Sequence, residues 1–423
     1  MLKKKCAIII SLMLAMTAAV TGCSESSSVT NTQQGSSSAV VSQARDTDDE
    51  SAENDDASQG GVAVNTASEK SEYFTERDLL QTADTSKAKE ITAADGQTVD
   101  ITEAGVYVIK GSAKNCTIKV NAASDAKVQL VLDGVSITND DFPAIYVVSA
   151  DKCFITTTDS ENTLSVTGTF KADGETNTDA VIFSKDDLVF NGVGTLKVES
   201  ANGNGISGKD DVKFTGASYE ISSALDSIEA NDSILICAGS FEINSGKDAL
   251  HSENEDDNTQ GIIYISGGSF KINAKSDALQ GNTAVTIDNG TFDLTAAEGI
   301  ESTYVKINGG SVVIASTDDA INAGNKNKSG TTPTIEINGG EIKITMAQGD
   351  TDAVDSNGNI VINGGTIDIT TSGSSFDYDG KATYDGGTII INGKQVDSIP
   401  QSMMGGGRGG MMNGRQGRMM QEF

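Results

Sequence analysis

From about residue 99 onward the chain is a string of short β-branched runs separated by Gly, Asn and Asp, and inside each run apolar and polar residues alternate. A period of two marks a strand with one buried face. A turn glycine followed by Thr or Ser (once each Ala and Glu) and an apolar-x-apolar strand recurs at Gly194, Gly216, Gly239, Gly268, Gly290, Gly310, Gly340, Gly365 and Gly387, at intervals of 22, 23, 29, 22, 20, 30, 25 and 22. The two longest intervals carry the insertions SENEDDNTQ after His251 and NKNKSGTTP after Gly324. Three short strands per period of about 22 residues make one coil of a solenoid. The segments DAVDSNGNIVINGGTIDI at 352–369 and SSFDYDGKATYDGGTIII at 374–391 show the unit: a corner strand, a turn, a second strand, a Gly-Gly turn and a third strand. The predicted fold is all-β, a right-handed single-stranded parallel β-helix of about a dozen coils, with handedness from the usual crossover preference. A sandwich or propeller would instead need hairpins between neighbouring strands.

The flanks read differently. MLKKKCAIIISLMLAMTAAVTGC has three lysines, a short apolar run and Gly22-Cys23, the layout of an export signal with a lipidation site. Residues 1–22 are therefore expected to be removed, leaving a diacylated, palmitate-bearing Cys23 as membrane anchor on an extracytoplasmic protein. Residues 23–69 are Ser, Asn, Gln and acids, including DTDDESAENDD at 46–56. With so little to bury, they read as a disordered acidic tether. Residues 70–98 read as an N-terminal cap, with SEYFTERDLL as a helix over the first coil, because an open solenoid end is an unpaired sheet edge. The β-helix is expected over 99–400. Residues 401–423, with Met403/Met404, Met411/Met412, Met419/Met420 and three arginines among glycines, read as a disordered tail facing an anionic wall or the acidic body; Cu(I) on the thioether pairs is the alternative.

Composition narrows the function. The 423 residues carry a formal net charge of -30. Loss of the signal removes three lysines and no acid, giving -33, which opposes nucleic-acid binding. Trp is absent, so a broad aromatic stacking platform is not expected. Cys116, Cys153 and Cys237 read as small interior residues, with a Cys116–Cys153 bridge as the alternative.

Aligning the coils on their Gly-Gly turns brings out two polar columns. Asp226, Asp248, Asp277, Glu298, Asp319 and Asp352 recur at one corner, each followed by a small and then an apolar residue. Three positions on come Glu229, His251, Gln280, Glu301, Asn322, Asp355 and Asp377. Like charges stacked at the ~4.8 Å strand spacing repel by roughly 1 kcal/mol in water and about 3–4 kcal/mol at an effective dielectric near 20. Carboxylates mixed with amide oxygens are the hard donor set that calcium takes. The candidate metal ligands are therefore Asp226, Glu229, Asp248, Asp277, Glu298, Glu301, Asp319, Asn322, Asp352, Asp355 and Asp377, with calcium between coils. A solvated acidic edge is the plainer alternative. His251, the one histidine of the chain, sits in the second column beside an insertion. No arginine lies between Arg77 and Arg408, and no Gly-His-Gly motif is present, so a catalytic residue is not assigned. A lysine base or an inverting carboxylate pair stays open.

The strings AGVYVIKGS at 104–112, VQLVLDGVSI at 128–137, AVIFSKDDLVFNGVGTLKV at 180–198, NGISGKDDVKF at 204–214, DAVDSNGNIVINGG at 352–365 and DYDG at 377–380 resemble the clostridial-type carbohydrate-binding domain-containing lipoproteins, whose β-helix is similar in shape to pectate lyases. The resemblance implies a monomeric cell-surface protein that binds polysaccharide without catalysis, either acidic plant glycans such as polygalacturonate or cellulose, with calcium along an acidic edge. It supports the Asp-Ala-apolar and Asp-Ser-Asn-Gly positions as metal candidates, and weakens the rungs where His251 and Gln280 stand. A polysaccharide lyase or hydrolase, and a structural stalk or adhesin binding protein, are the other classes.

Overall fold

The structure is a computed structural model that describes residues 73–327, 330–349 and 351–400. Cys23, the signal, the tether and the Met/Gly/Arg tail lie outside them. The described chain is all-β, with 32 strands joined in one sheet system and no helix among its elements. No helix of the described residues is long and apolar enough to cross a membrane.

Pairing follows the period read in the sequence. In a first stack, Ile234 pairs in parallel with Ile263, and the same register continues through Val285, Val305, Ile335, Ile360 and Ala382. A second stack runs Tyr219, Phe241, Phe270, Phe292, Val312, Ile342, Ile367 and Ile389. A third, of shorter strands, runs Ile206, Ile228, Leu250, Leu279, Ile300, Ile321 and Val354. Each of these residues except Ala382 is buried, so three columns of like side chains meet in one core. The rings of Phe241, Phe270 and Phe292 stack at 4.7 Å, rung upon rung. Among the named strands the one antiparallel pair is Thr388–Ile391 with Lys394–Val396. That hairpin turns at Asn392-Gly393, both with positive φ, as two-residue hairpins prefer. The parallel ladders exclude the hairpin-built alternatives.

Turn chemistry sets the corners between the first and second stacks. Gly310, Gly340, Gly365 and Gly387 have φ between 82° and 90°, and a Cβ on Gly365 would come within 2.8 Å of the Gly340 carbonyl. Only glycine fits such a turn stacked directly on its neighbour.

Two expectations are corrected, and the reading of the three cysteines as interior residues holds. The first stack opens at Lys89–Thr92, inside the segment read as a cap, so the strand region begins before residue 99. Residues 74–81 do not form a helix over the first coil. Thr75 and Asp78 exchange the reciprocal bonds that start a helix, at 3.0 and 3.3 Å. The helix does not continue, because the Asp78 carbonyl accepts from Thr215 Oγ1 at 2.5 Å instead of from a later amide of its own turn. The segment is a strap along the outer face of the first stack. There the Asp78 carboxylate meets Lys152 at 3.3 Å, Gln81 bridges Gly192 and Thr215, Arg77 lies over Phe154, and Tyr73 packs on Tyr264. Finally, Cys116, Cys153 and Cys237 are all buried and free, so the alternative bridge is not formed. Burial pushes the Cys153 thiol up to about 12.

Candidate functional site

The third stack forms the acidic edge, and its register reproduces the second polar column residue for residue. Glu229 pairs with His251, His251 with Gln280, Gln280 with Glu301, Glu301 with Asn322, Asn322 with Asp355 and Asp355 with Asp377. The first column sits at the bend just before it. There the small residues Ala249, Ala278, Ala320 and Ala353 are fully buried, which lets the chain turn inward between the two columns.

The first column has a backbone role that alignment alone does not reveal. Asp226 Oδ1 accepts the Asp248 amide at 3.0 Å, Asp248 Oδ1 the Asp277 amide at 3.0 Å, and Asp319 Oδ1 the Asp352 amide at 2.9 Å. Each of these carboxylates thus satisfies an N–H on the next rung, which offsets part of the repulsion along the column. The second oxygen remains for other chemistry.

Side chains of the two columns gather into three groups. Ligand atoms of Asp226, Asp248 and His251 lie within 4.8 Å of one another; so do those of Asp277, Glu298 and Glu301, and those of Asp352, Asp355 and Asp377. The groups differ in charge. The first contains Lys247, whose Nζ stands 3.0 Å from Asp226 and 3.2 Å from Asp248, together with the His251 ring. Burial opposes a charged ring at His251, but the Asp226 carboxylate outweighs it and the imidazole pKa rises. The second group contains one cation, Lys326, paired with Glu301. Burial, then Asp248 and Glu301, pushes Asp277 up to about 8, and burial with Glu301 pushes Glu298 up to about 7. The third group is made of carboxylates alone. There burial, followed by Asp319, Asp352, Asp377 and Asp379, pushes Asp355 up to about 7.

Two candidates stand apart from the groups. Glu229 is engaged by Asn204 Nδ2 at 2.9 Å and Ser207 Oγ at 2.8 Å. Asp319 holds the Asp352 amide rather than joining a group, and burial pushes it up to about 6. Asn322 links the second group by donating to Glu298 at 3.0 Å and Glu301 at 3.3 Å, while its buried Oδ1 has no hydrogen-bond partner. Lys247 and Lys326 were missed because neither lies at a column position. A second acidic run at Asp186, Asp187, Asp210, Asp211 and Asp232 was also missed. Burial and those neighbours push Asp210 up to about 7, and its signal is the repeated Lys-Asp-Asp of the sequence.

A family model of the carbohydrate-binding domain-containing proteins matches residues 95–353, more than half of the chain. The chain belongs to that family. A carbohydrate-binding domain-containing protein of Acetivibrio thermocellus is 32% identical over 126 residues, which are 29% of this chain and 44% of that one. The chain thus spans less than half the length of the curated relative it matches. A solved structure of a polysaccharide lyase-like protein from C. thermocellum, a gadolinium derivative, covers 70% of this chain and 98% of its own at 22% identity, with a TM-score of 0.43. Within this carbohydrate-binding domain, the matched segment contains the first two acidic groups whole and ends at the third, leaving Asp355 and Asp377 beyond it.

The donor sets can be tested against calcium, which takes six to eight oxygens and no nitrogen by preference. The Asp352, Asp355 and Asp377 group fits best, having carboxylates alone. The Asp277, Glu298 and Glu301 group fits if Lys326 gives way. The Asp226, Asp248 and His251 group does not fit, since an ammonium and an imidazole already stand among its oxygens. For sugar contact, the outward side of the second stack offers Glu242, Asn244, Lys271, Asn273, Asp293 and Thr295 on a shallow strip, with Lys271 paired to Glu242 at 2.9 Å. Tyr146 and Phe183, which share the column register of the acidic edge, are fully covered. Among the described residues, no aromatic residue stands among the large exposed apolar side chains.

Proposed function

We propose that this carbohydrate-binding domain is a right-handed single-stranded parallel β-helix, anchored outside the cell through lipid on Cys23, that holds polysaccharide without cleaving it. In this reading calcium at Asp352, Asp355 and Asp377, and secondarily at Asp277, Glu298 and Glu301, bridges the carboxylates of an acidic glycan such as polygalacturonate to the edge. One observation carries it: the acids of the third stack are in strand register rung on rung, and the group at its C-terminal end brings three carboxylates together within 4.8 Å. A bound divalent ion would balance their charge, and its remaining sites would take uronate oxygens.

The test is native electrophoresis of the purified chain through polygalacturonate or hydroxyethylcellulose, with calcium and then with chelator. Retardation by polygalacturonate that chelator abolishes, with circular dichroism unchanged, is expected. Retardation that persists in chelator would remove the metal from the account, and no retardation in either gel would shift the reading to a stalk or adhesin.

A further inference from the structure

The one histidine of the chain occupies a rung where the same column elsewhere carries oxygen donors, and the three groups along the edge differ accordingly in donor chemistry. His251, Asp226 and Asp248 are 7%, 5% and 1% exposed. His251 Nδ1 stands 3.4 Å from Asp226 Oδ2 and 3.8 Å from Asp248 Oδ2. Metal–ligand bonds of about 2.0–2.2 Å at tetrahedral angles give ligand–ligand edges of roughly 3.3–3.6 Å, which this triangle approaches. On the far side of the ring the buried Nε2 makes no hydrogen bond, while Glu253 Oε2 stands 3.4 Å away. A neutral ring with its proton on Nε2, facing Glu253, would present the Nδ1 lone pair to the two aspartates. That is the carboxylate–histidine arrangement that orients imidazole ligands.

Where Nδ1 carries a proton it donates to Asp226 Oδ2 at 3.4 Å; where it carries the lone pair, that lone pair and the two carboxylate oxygens call for positive charge between them. In this structure Lys247 provides part of that charge, with Nζ at 3.0 and 3.2 Å from the two aspartate oxygens. Its side chain is 48% exposed, so the ammonium can swing out to solvent. We propose that Asp226, Asp248 and His251 form a binding site for a borderline divalent ion of the zinc class, with Glu253 orienting the ring and Lys247 as the built-in competitor that metal displaces. Mixed nitrogen and oxygen donors favour such ions over calcium, so one edge would carry two metal chemistries, N/O at this rung and O-only at its C-terminal end. The site does not depend on glycan binding.

The test uses the full chain, stripped by chelator and titrated separately with zinc, cobalt and calcium chloride. One zinc bound per chain at this site is expected, with cobalt giving the visible bands of a tetrahedral nitrogen–oxygen site and calcium failing to compete. His251→Gln should lower zinc affinity by roughly tenfold or more and abolish the cobalt bands. It should keep the fold, since Gln280 fills the same column one rung on. Lys247→Met should raise zinc affinity several-fold, an outcome that a merely structural ion cluster would not give, and this variant serves if His251→Gln does not fold. No zinc uptake by the unaltered chain, equal affinity in His251→Gln, or weaker binding in Lys247→Met would each overturn the assignment.

Discussion

Two polar columns run along this molecule and solve the same stacking problem in opposite ways. At the corner between the first and second stacks, Asn308 Nδ2 donates to Asp288 at 2.7 Å, Asn338 to Asn308 at 2.8 Å and Asn363 to Asn338 at 2.7 Å. An amide holds both a donor and an acceptor, so each asparagine satisfies the next and the column closes on itself. On the third-stack edge the stacked side chains are carboxylates, which only accept. They must find a donor from outside the column: along the edge it is the backbone amide of the next rung or a lysine or histidine, and Asp355, at the C-terminal end, has none of these among the described residues. A self-sufficient column is scaffold; a column short of positive charge is where a ligand can be recognised.

The largest effect should come from removing a donor's only acceptor inside the acidic edge. Asp248→Ala strips the acceptor from the Asp277 amide and one carboxylate from beside Lys247 and His251, all in a buried setting. A loss of about 3–5 kcal/mol is expected in urea unfolding. Asp248→Asn keeps an oxygen for the amide and should lose no more than about half of that. Equal losses in the two variants would mean that the backbone bond contributes little.

How far this contrast could be read from the chain itself follows from what kind of signal each part leaves. The glycine period and the alternation of Ile and Val state the strand stacks directly, since a one-residue slip would expose a whole column. The second acid column was legible for the same reason, as the pairing from Glu229 to Asp377 follows the alignment on Gly-Gly turns. The strap was not, because Asp78 and Gln81 find their partners at Lys152, Thr215 and Gly192, far outside any periodic spacing. Nor was the fate of each acid, because Lys247 and Lys326 lie on turns whose side chains reach back over the edge, and sequence period says nothing about reach.

An intermediate effect should appear on changing pH. Asp277, Glu298, Asp355 and Asp319 are all raised in the folded chain, to about 8, 7, 7 and 6, above the ordinary carboxylate values of about 3.9–4.3 in an unfolded chain. The folded state therefore holds more protons than the unfolded one, and their contribution is complete below about pH 4 and lost as pH rises through the folded values. In chelator, Tm should fall by several degrees from about pH 5 to about pH 8. Calcium binds the charged carboxylates, so adding it should raise Tm at the upper end more than at the lower, and Asp355→Asn should shrink both the fall and the rescue. A Tm that is level over this range in chelator would show that the acids of the edge splay into solvent instead of crowding.

The smallest effect belongs to the amide column, and its gradation is the sharpest check on the contrast. Asn338 is half-buried and donates twice, to Asn308 and to Glu336 Oε1 at 2.8 Å, while accepting from Asn363. Asn338→Ala therefore leaves an acceptor and a donor on neighbouring rungs without partners and should cost about 1–2 kcal/mol. Asn363 is exposed and donates at the column's far end, where water replaces what is lost, so Asn363→Ala should cost no more than about 0.5 kcal/mol. Neither change alters the charge of the edge, and both should leave the calcium-dependent part of Tm untouched. If Asn338→Ala altered the calcium response as strongly as Asp355→Asn, the two columns would be coupled through the rungs, and the division between scaffold and recognition edge would have to be abandoned.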